Sequence, residues 1–412
     1  MSDPIRPLRV VTLPPGLTDP VSREWAFTAA STGAELLELR TDLHPADLSL
    51  RPLVESLPLL VSERGQPLPP AWIENARRID VPLGAPLPAE AERVLVSEHF
   101  AAPMSMEAAL AAWDGLAEGA SLKHVEPLGE PARVEALLDL QERLIRRFGA
   151  GRVTVLAMGP WALPARALLA RRNALDYLAL GSGWSSAAGQ RLLSDAVRAG
   201  AAQDPTSRLG IVGTSIAHSR SPRLHPQPFD RIDLPADAPV EALVDTLIAH
   251  YRGLAVTSPF KKRLAAHVGA PRDAINTLWR ESGRWRGENT DLEGAREALR
   301  RLGPGEVHVL GDGGVAGALR EVGAARVRVH TRAQLKDASL KGLVLWTWPV
   351  DLPPPEGLRF EPGTRVGVIA YGPPGRALQA QITRLGGTPV ALGMPWLLAQ
   401  ARRQRALFLA AD

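Results

Sequence analysis

The chain has 412 residues and no cysteine, which removes thiol nucleophiles, disulfides and thiolate-bound metals from the chemistry open to it. It has no apolar run near the roughly 18 residues that span a bilayer, and its first residues lack the basic-then-apolar pattern of a signal peptide. The expectation is a cytoplasmic protein with no membrane partner. Nor is there an excess of one charge: 48 basic residues stand against 44 acidic ones, a formal net charge of +4, with the arginines dispersed rather than gathered into a stripe. Nucleic-acid binding is therefore not expected. Lysine is the scarcest charged residue, supplying five of the 48 basic side chains. One of the five, Lys123, lies in the apolar segment 119–125. An amine can lose its proton and attack a carbonyl, which a guanidinium cannot. The alternative is a lysine near a strand end, its stem on apolar surface and its head in water.

Apolar strand-like runs alternate with helical patterns along the chain. In the first half the runs fall at 8–13, 34–42, 58–61, 78–81, 93–97, 119–125, 152–158 and 177–180. Eight strands interleaved with helices predict a (β/α)8 barrel. The polar stretch 199–208 reads as a linker, and two further βα series follow. The expected domains are 1–204, 205–292 and 293–412.

In the second run Glu38, Arg40 and Asp42 fall at period two, so all three share one strand face. Charges on a barrel's inner face need a purpose. Two other runs end in Arg64 and His99, and enzymes on this fold place their chemistry at the C-terminal strand ends. Taken singly, His99 also fits a hydrogen-bonded structural histidine and Arg64 a surface charge.

Together these residues resemble type I 3-dehydroquinate dehydratase over roughly residues 8–200. The family's E-x-R-x-D strand matches Glu38, Arg40 and Asp42, its strand-end arginine Arg64, and its S-x-H Ser97 and His99. The imine-forming lysine matches Lys123. Met158, Gly159 and Arg166 match the Met-Gly strand and the substrate arginine that follows it, and Ser186 and Gln190 match a late polar loop. The resemblance implies that Lys123 forms an imine with 3-dehydroquinate and that His99 moves the proton in dehydration to 3-dehydroshikimate. Arg40, Arg64, Arg166, Glu38, Ser186 and Gln190 would hold the substrate. Two departures stand out: the chain between Arg64 and Arg78 is too short for the family's usual helices, and the glutamate that orients the histidine has no counterpart.

The second half contains a strand running into the turn Gly311-Asp-Gly-Gly314 and then a helix, a form that lets a dinucleotide's pyrophosphate approach backbone amides. A tight βα turn of any kind can produce such a motif. The next strand ends in Thr331-Arg332 rather than in an acidic residue, which favours the 2′-phosphate of NADP; a surface arginine is the alternative. With Ser219, Ser221, Thr257, Lys261, Asn276, Asp291 and Gln400, in that order, this half resembles shikimate dehydrogenase over about 208–412. The implied fold is a two-lobed α/β unit with a Rossmann-type NADP domain whose C-terminal helix returns to the substrate lobe. Lys261 and Asp291 would form the catalytic pair. Ser219 and Ser221 would hold the carboxylate of 3-dehydroshikimate or shikimate, and Thr257, Asn276 and Gln400 its hydroxyls. Gly311, Gly313, Gly314, Thr331 and Arg332 would hold NADP. Here too the pattern departs from the family: Ala255 replaces the substrate asparagine, Trp346 and Trp348 stand in the segment beside the nicotinamide, Val368 replaces an aspartate, and Asp312 sits inside the glycine turn.

The combined reading is a fused dehydratase and NADP-dependent reductase acting on small molecules, with no metal. The second reading is a working dehydratase joined to a silent ligand-binding or scaffolding module.

Overall fold

A computed structural model describes residues 6–200 and 208–411. Most of the predicted linker, residues 201–207, and with it the expected 204/205 boundary, lies outside the described residues. The chain divides into two compact units, residues 1–260 and 261–412.

The first unit opens with eight parallel strands at the predicted places: β1 (Leu8–Thr12), β2 (Leu36–Arg40), β3 (Leu59–Ser62), β4 (Ala76–Pro82), β5 (Val94–His99), β6 (Ser121–Pro127), β7 (Val153–Met158) and β8 (Leu175–Ala179). They are joined by helices α1 (Asp19–Thr32), α2 (Arg51–Val54), α3 (Pro70–Asn75), α4 (Met106–Ala111), α5 (Arg133–Phe148) and α6 (Ala162–Leu169). The shortening expected after Arg64 is real, since α3 has only six residues. In α5, Val134, Leu137, Leu140, Gln141 and Leu144 are buried at three- and four-residue spacing, the stripe a helix needs to cover a sheet.

The strand order is β7-β6-β5-β4-β3-β2-β1-β8, with the short β9 (Arg191–Leu192) added beyond β8 and followed by α7 (Leu193–Gly200). The remaining seam, between β7 and β8, carries no regular ladder among the described residues. Asn173 bridges it with its side chain: Nδ2 donates to the Val155 carbonyl at 2.9 Å, and the Val155 amide donates back to Oδ1 at 2.9 Å. One carboxamide thus takes the place of a strand residue and leaves neither buried backbone group of Val155 unpaired. Inside, Val10, Leu36, Leu60, Leu95, Val125, Leu156, Leu175 and Tyr177 form one apolar cluster. Two residues along the strands from these lie Thr12, Glu38, Ser62, Ser97 and Lys123, which therefore share the inner face.

The same unit continues with β10 (Leu209–Gly213), β11 (Phe229–Asp233), α8 (Val240–Leu247) and β12 (Gly253–Val256). Both β11 and β12 run parallel to β10, one on each side, and β11 packs against α6 and α7 of the barrel.

The second unit begins with α9 (Lys261–His267), the antiparallel hairpin β13 (Thr277–Glu281) and β14 (Arg284–Glu288), and α10 (Asp291–Leu302). Next come β15 (Val307–Leu310), α11 (Gly314–Val322), β16 (Val327–His330), β17 (Ser339–Leu340), β18 (Leu343–Trp346), β19 (Arg359–Phe360), β20 (Arg365–Val368), α12 (Gly372–Arg384), β21 (Thr388–Ala391) and α13 (Gly393–Ala410). The order β16-β15-β18-β20-β21 is a parallel, Rossmann-like sheet that reverses direction at β15, where such folds bind their ligands. α13 returns across α10 and β13. Gly294 permits that approach, because a Cβ there would lie 2.6 Å from the Trp396 indole.

Candidate active sites

The barrel brings most of its predicted residues into one cluster. Lys123 is 3% exposed; its Nζ donates to Oδ2 of Asp80 and, at 3.3 Å, to the Tyr177 hydroxyl, and it lies 4.7 Å from the Tyr177 ring centre. Asp80 is fully buried and also takes the Arg64 guanidinium at 2.7 Å. Burial lowers the Lys123 amine from its ordinary range, although Asp80 opposes the shift. For Asp80 burial alone would act upward, but Lys123 and Arg64 together hold the carboxyl below its usual value. Burial raises the Tyr177 phenol well above its usual range, so it is a neutral hydrogen-bonding group here.

His99 is the last residue of β5 and is exposed to solvent. Partial burial of the ring, together with the positive charges of Lys123 and Arg64, pushes it down to about 4. The imidazole is therefore neutral at physiological pH and free to accept a proton.

On the neighbouring strands the Glu38 carboxylate accepts from Thr12 at 2.5 Å and from Ser62 at 2.8 Å. The Thr12 hydroxyl also lies 2.9 Å from that of Ser186, to which Gln190 donates at 3.0 Å. Four elements thus share one polar network. Arg40 is turned toward Asp42 by two bonds of 3.0 and 2.6 Å. Arg166 stands apart from the Lys123 cluster: it is buried in α6, donates to the Tyr177 carbonyl at 3.0 Å, and is lowered by burial to about 10. Sequence reasoning missed Asp80, Tyr177, Thr12 and Ser62. The signal available for Thr12, Ser62 and Tyr177 was their parity with apolar residues on neighbouring strands.

Beyond the barrel, Ser219 and Ser221 share one turn, their hydroxyls 3.3 Å apart, with Ser221 buried. Thr257 follows β12 and donates its amide to the Val212 carbonyl at 2.9 Å. Ala255 is buried in β12, with no polar side chain to offer.

In the second unit Lys261 donates to Asp291 at 2.5 Å, from the first residue of α9 to the first of α10. Asn276 accepts through Oδ1 from the amide and hydroxyl of Thr290, at 2.7 and 2.9 Å, while its buried Nδ2 has no partner among the described residues. Gln400 accepts from the Trp396 indole at 3.1 Å. One turn later Gln404, which sequence reasoning passed over, donates to the Asn276 carbonyl at 3.2 Å and the Thr277 hydroxyl at 3.0 Å.

At the Rossmann turn Gly311 has φ +119°, and a Cβ there would meet the Thr347 hydroxyl at 2.7 Å and the Trp348 indole at 2.9 Å. Gly313 and Gly314 face open space at the start of α11, leaving room for a phosphate beside the helix amides. The rest of the predicted site is engaged internally. Arg332 donates to the Pro353 carbonyl at 2.7 Å and stacks over Trp348 at 5.3 Å, and Thr331 gives its amide and hydroxyl to Gln334. Trp346 is buried, edge-on to Trp348 at 5.4 Å. The phosphate end of a dinucleotide thus has a fitting cradle, while Trp348 lies against the glycine turn.

The fold is a curled, barrel-like parallel sheet followed by Rossmann-like α/β sheets. No family model matches the chain. Among curated proteins, the NADP(+) shikimate dehydrogenase of Bordetella petrii is 35% identical over 148 residues, 31% of this chain and 52% of its own length. That of Thermus thermophilus is 37% identical over 137 residues, 28% of this chain and 52% of its own. The chain spans about half the length of the curated relatives it matches. Among solved structures, the dehydroquinate dehydratase and shikimate dehydrogenase of S. pombe AroM is aligned over 99% of this chain and 96% of its own, at 17% identity and a TM-score of 0.38. Shikimate dehydrogenase in complex with NADP+ is aligned over 51% of this chain and 92% of its own, at 19% identity and a TM-score of 0.43.

Proposed function

We propose that the chain dehydrates 3-dehydroquinate to 3-dehydroshikimate through an imine on Lys123, and that its remaining segments bind 3-dehydroshikimate or shikimate together with NADP and reduce the former more weakly. The observation that carries the first activity is a buried lysine paired with Asp80, with a neutral histidine at the end of the adjacent strand. Asp80, itself paired with Arg64, holds the amine in place, and burial favours the uncharged form that attacks the substrate ketone. Water leaves as the imine forms, and the protonated imine draws electrons from the adjacent carbon. His99 takes the proton from that carbon and returns one to the departing hydroxyl. Arg40, Arg64, Glu38, Ser186 and Gln190 bind the substrate's carboxylate and hydroxyls, with Arg166 steadying the Tyr177 strand from behind.

Functionally we assign 1–204 to the dehydratase, 205–292 to substrate binding and 293–412 to NADP. Ser219 and Ser221 take the carboxylate, and Thr257, Asn276 and Gln400 the hydroxyls. Lys261 and Asp291 hold the proton at the reacting oxygen. Gly311, Gly313 and Gly314 lie along the pyrophosphate, with Thr331 and Arg332 at the 2′-phosphate. NADPH, when bound, supplies the hydride. The curated relatives are named for NADP(+), which supports this assignment. One observation favours the silent-module reading for this half: Trp348 packs against the glycine turn.

Borohydride reduction in the presence of 3-dehydroquinate, followed by peptide mapping, tests the first activity. The adduct is expected on Lys123 and absent from Lys123→Arg. An adduct elsewhere, or turnover by the arginine variant, would refute the assignment. Product absorbance and NADPH oxidation in one cuvette then compare the two activities.

A further inference from the structure

Strand β11 uses its two faces differently. On one face Asp230 is buried among Arg208, Arg191 at 3.5 Å and the Tyr251 hydroxyl at 2.9 Å, and Arg191 also holds Asp176 of barrel strand β8 at 3.0 Å. This face fastens β11 to the barrel. On the other face Arg231 and Asp233, two residues apart, both reach the turn that carries Ser219 and Ser221. Asp233 accepts the amides of Ser215 at 2.7 Å and Ile216 at 3.1 Å, and Ser215 is held at φ +56°. Arg231 donates through Nη2 to the Ser219 carbonyl at 2.7 Å, while its Nη1 pairs with Asp195 of the barrel helix α7. Both members of that pair are nearly enclosed, with 11% and 6% of their side chains exposed.

We propose that Asp195 and Arg231 are positioning residues through which the barrel fixes the Ser219–Ser221 turn in its ligand-binding form. A guanidinium carries donors in a rigid fork, so anchoring one arm on Asp195 fixes the direction of the other. The orientation of the Ser219 carbonyl, and with it the two hydroxyls beyond, is set by a carboxylate on a different part of the fold. Without Asp195 the arginine becomes an enclosed cation with no counter-charge, and such groups swing toward water. The Ser219 carbonyl then loses its donor. The ligand part of this inference rests on the reading that the two serines bind the carboxylate of shikimate.

The test uses the full chain with Asp195→Asn and Arg231→Lys, followed by amide hydrogen exchange and shikimate titration. Exchange across residues 214–224 is expected to quicken at least tenfold while β1–β6 stay as protected as in the unaltered chain. Shikimate affinity is expected to fall about tenfold with dehydratase kcat unchanged. Unaltered exchange in the turn for both variants would overturn the proposal. If the single variants loosen the barrel as well, the swapped pair Asp195→Arg with Arg231→Asp decides. It restores the ion pair but not the donor to Ser219, so a fast turn on a protected barrel supports the proposal and a slow turn defeats it. Failure of the unaltered chain to bind shikimate would remove the carboxylate reading, while the exchange comparison still decides whether Asp195 and Arg231 hold the turn.

Discussion

Replacing Asp80 by asparagine removes the one negative charge placed between Lys123 and Arg64 while keeping the volume of the side chain. Asp80 is fully buried, and a single oxygen, Oδ2, receives both cations. Removing one partner of a buried ion pair costs about 3–5 kcal/mol. At roughly 2–4 °C per kcal/mol for a unit of this size, melting at neutral pH should drop by about 6–20 °C. The pH dependence carries a sign. Asp80 is held below the ordinary carboxyl range, so its contribution is present above that range and is lost as pH falls through the lower folded value. The stability gap between the two proteins should therefore narrow in acid, below about pH 4. Chemistry moves in the opposite sense. Asp80 raises the Lys123 amine against its burial, so Asp80→Asn lowers it further, and the midpoint of borohydride trapping against pH should shift toward acid. Melting curves from pH 3 to 8 and trapping across pH 5 to 10 provide the readouts, both ranges chosen to bracket roughly the ordinary carboxyl and amine values. Superimposed trapping profiles together with a melting change under about 1 °C would refute the reasoning, because Asp80 would then not be the counter-charge.

Other outcomes follow from the same geometry. With His99 held near 4, its protonation should add a second acid fall of dehydratase kcat/KM near pH 4, below the one set by the Lys123 amine, and His99→Asn should remove that second fall along with most of the rate. Trp348→Thr should strengthen NADP binding about tenfold, or about 1.4 kcal/mol, measured by calorimetry; unchanged affinity would show that the indole already yields to the cofactor. Arg332→Ala should erase discrimination between NADP and NAD, and retained preference in a paired titration would locate the 2′-phosphate elsewhere.

What the sequence disclosed and what it withheld divide along a physical line. Parallel strands buried on both faces read as apolar runs, which is why all eight barrel strands were legible. The alternation of Glu38 and Arg40 survived because a pleat has a fixed period, whereas Asp42, expected on the same strand face, lies in the turn after β2. Asp80 was not legible. Within the short run 78–81 it looks like a solvated charge, and its meaning comes from a lysine 43 residues away that reaches it from another strand. Gln404 was passed over for Gln400 because residues four apart share a helix face, and only the packing of α13 shows which one meets Asn276.

The same line explains why the two proposed activities stand on different footing. The barrel's polar residues close into a network around Lys123, whose amine is enclosed, lowered and faced by a neutral base. At the Rossmann turn the groups suited to a dinucleotide have already found partners within the protein: Arg332 on Pro353 and Trp348, Thr331 on Gln334, and Gly311 beneath an indole. A cofactor must displace those contacts before gaining its own, and binding shows only the surplus. The open amides at Gly313 and Gly314 set what can be gained, and the Trp348 contact sets what must first be given up. The balance between them, more than the survival of Lys261 and Asp291, determines whether reduction proceeds at a rate comparable to dehydration.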